Sequence, residues 1–438
     1  MDRFVALKFL IFCGIVTAFQ GSTNAARVPS PYNVFYVFGG NYIYIIDPET
    51  KTMIDSITHT TSPGFCAKGG PGFSSGECWF SGAHIVGKHM YALDYFGNAV
   101  RVFEVKTRKL IESIKTDANP VGMYDQRWRK ETWIHSWTLS TLDVIDTDER
   151  KRTHTAIKAH ISPGWTHGDM IAHEKLLGGR YGYVTHTTNE GMHKVNLDDK
   201  TYVKFLNFSG YGCTGTWRMA FSPHNNRIYV DCRQNRRESK TLEFDPSTDR
   251  VTRVFPFRGY PYASPNGHFI VSIYRNGRDV SVMNIIAISG TTVNRYPEHA
   301  IPGGLTDVVF YPKRENPNSY YVFATLQYTN RMAVVDLDLA SRRDDNAVRY
   351  ITDVDYADTT RFLRSRKMFM HGKWIISAAS QSNTTVIVNA ETQKIHGKIP
   401  NIDKGDYALW VPDPNSGTSG LKSFVVMIWF CLFLKFFF

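Results

Sequence analysis

One pattern governs what this chain can fold into: a short apolar strand, a tight turn, an alternating strand ending in Asp or Asn, a second turn, and a third strand. It is first met in NVFYVFGGNYIYIIDPETKTMIDSI, where Gly39, Gly40 and Asn41 make one turn and Pro48-Glu49-Thr50 the other. It returns in HMYALDYFGNAVRVFEVKTRKLIESIKT, WIHSWTLSTLDVIDTDERKRTHTAIK, YGYVTHTTNEGMHKVNLDDKTYVKFLNF and RIYVDCRQNRRESKTLEFDPSTDRVTRVF. The last three copies are HFIVSIYRNGRDVSVMNIIAISGTTVNRY, YYVFATLQYTNRMAVVDLDLASRRDDNAVRYI and WIISAASQSNTTVIVNAETQKIHGKI. Copies recur roughly every 40 to 55 residues, near the length of a four-stranded propeller blade.

A fourth strand precedes most copies, as SGAHIVGK, TWRMAFSPHNN, GYPYASPNG, LTDVVFYPK and RFLRSRKMFM. Ser222-Pro223 and Ser264-Pro265 close two of these with turns in which Pro fixes φ. The first copy has no such strand ahead of it, but GDYALWVPDP follows the last. Small sheets bury their faces only against neighbours, so the ring must close. The expectation is an all-β propeller of eight four-stranded blades, with seven as the fallback, closed by this C-terminal strand.

The flanks point to the secretory route. MDRFVALKFLIFCGIVTAFQGSTNAA has Arg3 and Lys8 before an apolar stretch and then small residues, which reads as a signal peptide over residues 1–26. At the other end Phe424 to Phe438 is apolar except for Lys435. That run is short of the roughly 20 residues a spanning helix needs. Small residues at Asn415-Ser416-Gly417 and a polar spacer precede it, the layout of a glycosylphosphatidylinositol attachment signal over residues 415–438. Attachment is expected at Asn415, with Ser416 and Gly417 as alternatives, leaving a single propeller domain over 27–414 on the outer leaflet of the plasma membrane.

Cysteine usage agrees with that compartment. Cys66, Cys78, Cys213 and Cys232 lie in the body, and the local pairs Cys66–Cys78 and Cys213–Cys232 are favoured among three connectivities. A ring as small as the first would stabilise the fold by roughly 3 kcal/mol. No CxxC pair suggests structural zinc. Asn207-Phe-Ser and Asn383-Thr-Thr are N-glycosylation sequons. The formal charge is +11, dispersed apart from knots at Arg233 to Arg237 and Arg361 to Lys367. Each knot reads as a solvated face, with an acidic glycan as the sharper alternative; no nucleic-acid partner is expected.

Several stretches resemble one family, the C-terminal propeller region of follistatin-related proteins 4 and 5. The similar segments are YGYVTHTTNEGMHKVNLDDKTYVKFLNFSGYGC, YPYASPNGHFIVSI, LTDVVFYP and KGDYALWVPD, spread over Tyr181 to Asp413. Cys213 and Cys232 sit where that family has two cysteines. The 438 residues contain none of the Kazal-type, EF-hand or immunoglobulin-like modules of that family, and no DxDxDG calcium loop. The resemblance implies an extracellular propeller and no reaction.

Catalytic signatures are sparse. His167, Asp169 and His173 in WTHGDMIAH, with His160 and His186 nearby, could hold a metal or move a proton, but their spacing matches no ligand motif. There is no GxxxxGK[ST], HExxH or suitably placed GxSxG, so no cofactor is expected. Trp128, Trp133, Trp137 and Trp165 read as core between blades or, with Arg127 and Arg129, as a recognition rim. The reading is therefore a non-enzymatic binding module for an extracellular protein or acidic glycan, in cell-surface recognition or adhesion. The alternative is a secreted, lactonase-like hydrolase with a channel metal.

Overall fold

The Asp or Asn that ends the third strand of most blades sets their geometry. Asp47 Oδ1 accepts the N–H groups of Glu49 (2.8 Å) and Thr50 (3.3 Å), and Asp146 Oδ1 those of Asp148 and Glu149, both at 2.8 Å. Asn196, Asp245 and Asn389 make the same bonds to their own turns. Such a side chain stands in for a backbone turn partner. Four residues later the chain passes through the left-handed region at Lys51, Arg108, Arg150, Lys200, Asp249 and Gln393. A bulge follows between the third and outer strands of each of these blades, which twists the outer strand away from the plane of the others.

The computed structural model describes residues 30–70, 76–137, 141–158, 168–234, 239–276, 280–357, 367–378 and 381–414. Residues 32 to 414 carry eight antiparallel sheets. From the inner strand outward, blade 2 is Phe80–Val86, His89–Asp94, Ala99–Glu104 and Lys109–Lys115, and blade 3 is Pro120–Gln126, Glu131–Ser136, Thr141–Asp146 and Lys151–Lys158. Blade 4 is Met170–Ile171, Tyr181–Thr185, Gly191–Asn196 and Thr201–Asn207, and blade 5 is Gly215–Ser222, Arg227–Arg233, Ser239–Asp245 and Arg250–Phe255. Blade 7 is Leu305–Pro312, Tyr320–Leu326, Arg331–Asp336 and Val348–Thr352, and blade 8 is Met368–His371, Trp374–Ser377, Thr385–Asn389 and Lys394–Ile399.

Blades 1 and 6 depart from the rule. In blade 6 the strands Tyr260–Ala263, Phe269–Asn276 and Val280–Ser289 are followed by an outer edge in two pieces, Thr292–Arg295 and His299–Pro302, both paired with Val280–Ser289. In blade 1, Val34–Phe38, Ile43–Asp47 and Thr52–Ile57 receive their inner strand from Tyr407–Val411, with Phe35 opposite Trp410 and Phe38 opposite Tyr407. The ring is an eight-bladed β-propeller closed by the expected C-terminal strand.

The core is divided among the blade interfaces. Each of the eight interfaces holds its own apolar cluster, such as Tyr36, Ile45, Met90 and Phe103 between blades 1 and 2, and Phe323, Val334, Ile375 and Val388 between blades 7 and 8. Truncating one fully buried ring such as Phe103 or Phe323 to Ala costs about 3–5 kcal/mol.

Polar ties repeat across these interfaces on one face. The hydroxyls of Tyr36, Tyr91 and Tyr183, all on second strands, donate to Val105, Thr147 and Pro246 carbonyls in the turn of the next blade (3.5, 2.7 and 3.5 Å). Arg129 Nη2 reaches the Leu197 carbonyl at 2.8 Å, and Trp374 Nε1 reaches Glu49 Oε1 at 3.2 Å. This is the turn face. The opposite, open face carries the connections from each outer strand to the next inner strand, and both disulfides.

Candidate functional site

An inner strand is paired on one side only, so its free backbone groups face the channel and need partners. Side chains supply them, each reaching from one blade to the next. The Tyr407 hydroxyl of blade 1 donates to the Ala83 carbonyl of blade 2 at 3.0 Å, and Ser81 Oγ to the Pro120 carbonyl of blade 3 at 3.1 Å. The Tyr124 phenol interacts electrostatically with the Met170 backbone of blade 4. Asp169 Oδ2 accepts the Met219 N–H of blade 5 at 3.2 Å, and Asp307 Oδ2 the Met368 N–H of blade 8 at 2.8 Å. The Tyr262 phenol of blade 6 is coupled electrostatically to the Asp307 carboxylate, and Lys367 Nζ lies 5.6 Å over the Tyr407 ring.

Arg218 is the exception in this collar. It lies on the inner strand of blade 5, is exposed, and its guanidinium carbon sits 5.7 Å over the Tyr260 ring. Among the described residues no hydrogen bond or ion pair engages its guanidinium. Its charge nevertheless acts on Tyr124, Asp169, Tyr262 and Asp307. Burial raises both carboxyls above their usual range, and the backbone N–H bonds and the Arg218 charge hold part of that rise back. Burial likewise pushes the Tyr124 and Tyr262 phenols up.

Beside Arg218, toward the open face, lies an arginine and aromatic shelf. The Arg233 guanidinium carbon stacks 3.9 Å over Trp217, and its Nη2 donates to the Tyr260 hydroxyl at 3.1 Å. Trp217 and Tyr260 meet edge to face at 5.3 Å. Arg258 Nη1 donates to the Tyr274 hydroxyl at 2.9 Å. Asp231, whose carboxyl burial pushes up to about 6, lies 3.6 Å from Arg233 Nε. Stacking and hydrogen bonding hold the Arg233 guanidinium in one plane, the geometry that suits an oxyanion.

The residues singled out in the sequence fall in several places. Cys66–Cys78 and Cys213–Cys232 are joined, with Cα separations of 5.8 and 5.2 Å. Asp169 faces the channel, while His173 Nδ1 accepts the Lys175 N–H at 3.0 Å and its ring packs 5.1 Å from Phe221 toward the turn face. These two therefore do not converge. His186 lies on the open face, with its Nδ1 3.0 Å from Thr188 Oγ1. His160, Trp165 and His167 lie outside the described residues, as do residues 1–26, read above as a signal peptide, and Asn415, Ser416, Gly417 and the tail.

The tryptophans form no single rim. Trp133 is fully buried, Trp137 joins Trp79 and Tyr95 in a cluster on the open face, and Trp128 sits on the turn face near His173. Of the basic knots, Arg233 and Lys367 are described and both border the channel; Arg236, Arg237 and Arg361 to Arg366 are outside the described residues. Arg233 is a stacked side chain rather than a freely solvated one. Asn207 and Asn383 are both exposed. Trp217, Arg218, Tyr260 and Asp307 are positioned by ring closure, and nothing in their local sequence marks them.

No family model matches the chain. Among solved structures, it is similar to dihydro-heme d1 dehydrogenase NirN in complex with DHE, at a TM-score of 0.62 and 11% identity over 88% of this chain and 78% of that one. It is also similar to apo AztD from Citrobacter koseri (TM-score 0.57, 9% identity, 86% and 97% covered). A protein of unknown function from Desulfotomaculum acetoxidans aligns at a TM-score of 0.51 and 11% identity, with 74% and 100% covered. At such identities these likenesses speak to the propeller fold alone.

Proposed function

We propose that this protein is an extracellular binding module, anchored by lipid to the cell surface, that uses the mouth of its channel on the open face to hold an acidic group of a glycan or protein partner. The observation that carries this reading is the Arg218 guanidinium, exposed, in hydrogen-bond contact with no carboxylate among the described residues, and set beside the flat, stacked guanidinium of Arg233. A charged side chain held at a concave mouth with aromatic neighbours is what anion recognition requires. The signal-like and tail segments, the two disulfides and the net charge of +11 support display outside the cell and a preference for acidic partners.

The test uses the full chain on intact cells. Surface staining should fall after phosphatidylinositol-specific phospholipase C, with the protein appearing in the medium. The released protein should bind a sulfated glycosaminoglycan oligosaccharide, and Arg218→Gln or Arg233→Ala should weaken that binding at least ~10-fold, the loss of one charge-assisted contact. Retention at the surface after the lipase would refute the anchor. Binding unchanged in both variants would refute the channel mouth as the site.

A further inference from the structure

Blade 4 carries a partly apolar outer edge with an aromatic ring on it. Its outer strand Thr201–Asn207 exposes Val203 (42%) and Phe205 (36%), although a strand with one free edge is normally protected by charge, proline or cover. Phe205 and Asn207 are two residues apart and therefore lie on the same side of the strand. Their cross-strand partners are His193 and Gly191. The Phe205 ring packs 4.9 Å from the His193 ring and covers Gly191. A Cβ at Gly191 would fall 3.0 Å from the Phe205 ring and closer still to the Leu206 carbonyl, so this position stays a glycine and the Phe205 ring lies flat against the sheet beside Asn207.

Asn207 opens the sequon Asn207-Phe208-Ser209. Its Oδ1 accepts the Ser209 N–H at 2.7 Å, which fixes the side-chain amide, and among the described residues Nδ2 has no hydrogen-bond partner. Phe208 is buried and its N–H is held by the Glu190 carbonyl at 2.7 Å, so the acceptor stands on a rigid platform. The partly exposed Phe205 ring and the Asn207 side chain share one side of the strand end.

We propose that the first N-acetylglucosamine of a glycan on Asn207 lies against the Phe205 ring and covers the outer edge of blade 4, making the sugar a structural part of the propeller. A pyranose has one apolar face, and laying it on an aromatic ring removes both from water. Asn383 offers no such seat: it sits in a turn at φ 55°, and Thr385, two residues on, is buried in a strand. The proposal rests on the extracellular reading, because the oligosaccharide is transferred only in the secretory pathway.

The test is made on the full chain carrying Asn383→Gln, secreted from animal cells. Its Asn207 glycan is trimmed by endoglycosidase to a single N-acetylglucosamine, and thermal midpoints are compared with protein freed of sugar by amidase and with Asn207→Gln. The single sugar should raise the midpoint by about 2 °C over both sugar-free forms. That increment should vanish in Phe205→Ser and in Phe205→Leu, the second variant keeping apolar bulk without an aromatic face. An equal increment in all backgrounds, no increment in any, or secreted protein with Asn207 unoccupied would overturn the sugar seat and leave the extracellular reading standing. Protein retained in the cell with free thiols and no glycan would overturn both.

Discussion

The two faces of the ring are built by different means. On the turn face, the connections at 48–51, 146–150, 196–200, 245–249 and 389–393 share one construction, an Asp or Asn side chain bonded to its own turn and a left-handed residue after it. On the open face the described connections differ from one another. One is tied by Cys66–Cys78, another by Cys213–Cys232, and a third region is held by Trp79 and Tyr95 with ring centroids 4.2 Å apart. Local rules suffice for the first face, so it repeats. Individual tertiary contacts hold the second, so each connection can take its own shape, the condition under which loops acquire binding roles.

Both faces depend on one closed ring, so breaking closure should erase the comparison. Deleting Tyr407 to Pro412 removes the inner strand of blade 1, the Tyr407 bond to Ala83 and the burial of Ala408 and Val411. We expect loss of a cooperative melt, or a midpoint lower by more than ~10 °C, in differential scanning calorimetry. A parent-like melt would refute closure through this strand.

A smaller effect separates the faces by pH. His84, in the half of blade 2 nearer the turn face, sits 2.9 Å from Thr132 Oγ1, and His186 lies on the open face; burial lowers each from 6.5 to about 4. The unfolded chain therefore takes up these protons first as the pH falls. Each histidine supports the fold fully above about 6.5 and withdraws up to ~3 kcal/mol by about pH 4. Asp231, raised to about 6, acts in the opposite sense, so the measurement is the difference between the wild type and each of His84→Gln and His186→Gln in urea melts from pH 7 to 4. Both variants should flatten the acid slope. If only His84→Gln does so, the open face admits protons without unfolding, and the contrast between the faces sharpens.

The smallest effect probes the turns themselves. Asp146→Ala deletes two hydrogen bonds of one turn and should cost about 1 kcal/mol by urea melt, without altering glycan binding at the opposite face. A loss of binding equal to that of Arg218→Gln would show that the faces are coupled.

Much of this architecture was legible beforehand, because a strand ending in Asp before a four-residue turn is a local signal and recurs. Two inner strands were not read. Pro120–Gln126 opens with proline and carries Gly122, and Met170–Ile171 is only two residues long, so neither shows alternation. The candidate site was less legible still. His167, Asp169 and His173 drew the eye by adjacency, yet Asp169 serves a backbone N–H in the channel and His173 packs against Phe221.

The sequence by itself determined the repeat and the closing strand and favoured eight blades and the two local cysteine pairs, because each follows from short-range pattern or from the need to cover sheet edges. Only the tertiary structure decided the collar of Ser81, Tyr124, Asp169, Arg218, Tyr262, Asp307, Lys367 and Tyr407. Each blade contributes its own residue to it, and the residues become neighbours only when the ring closes and the free edges of the inner strands draw polar side chains across the interfaces.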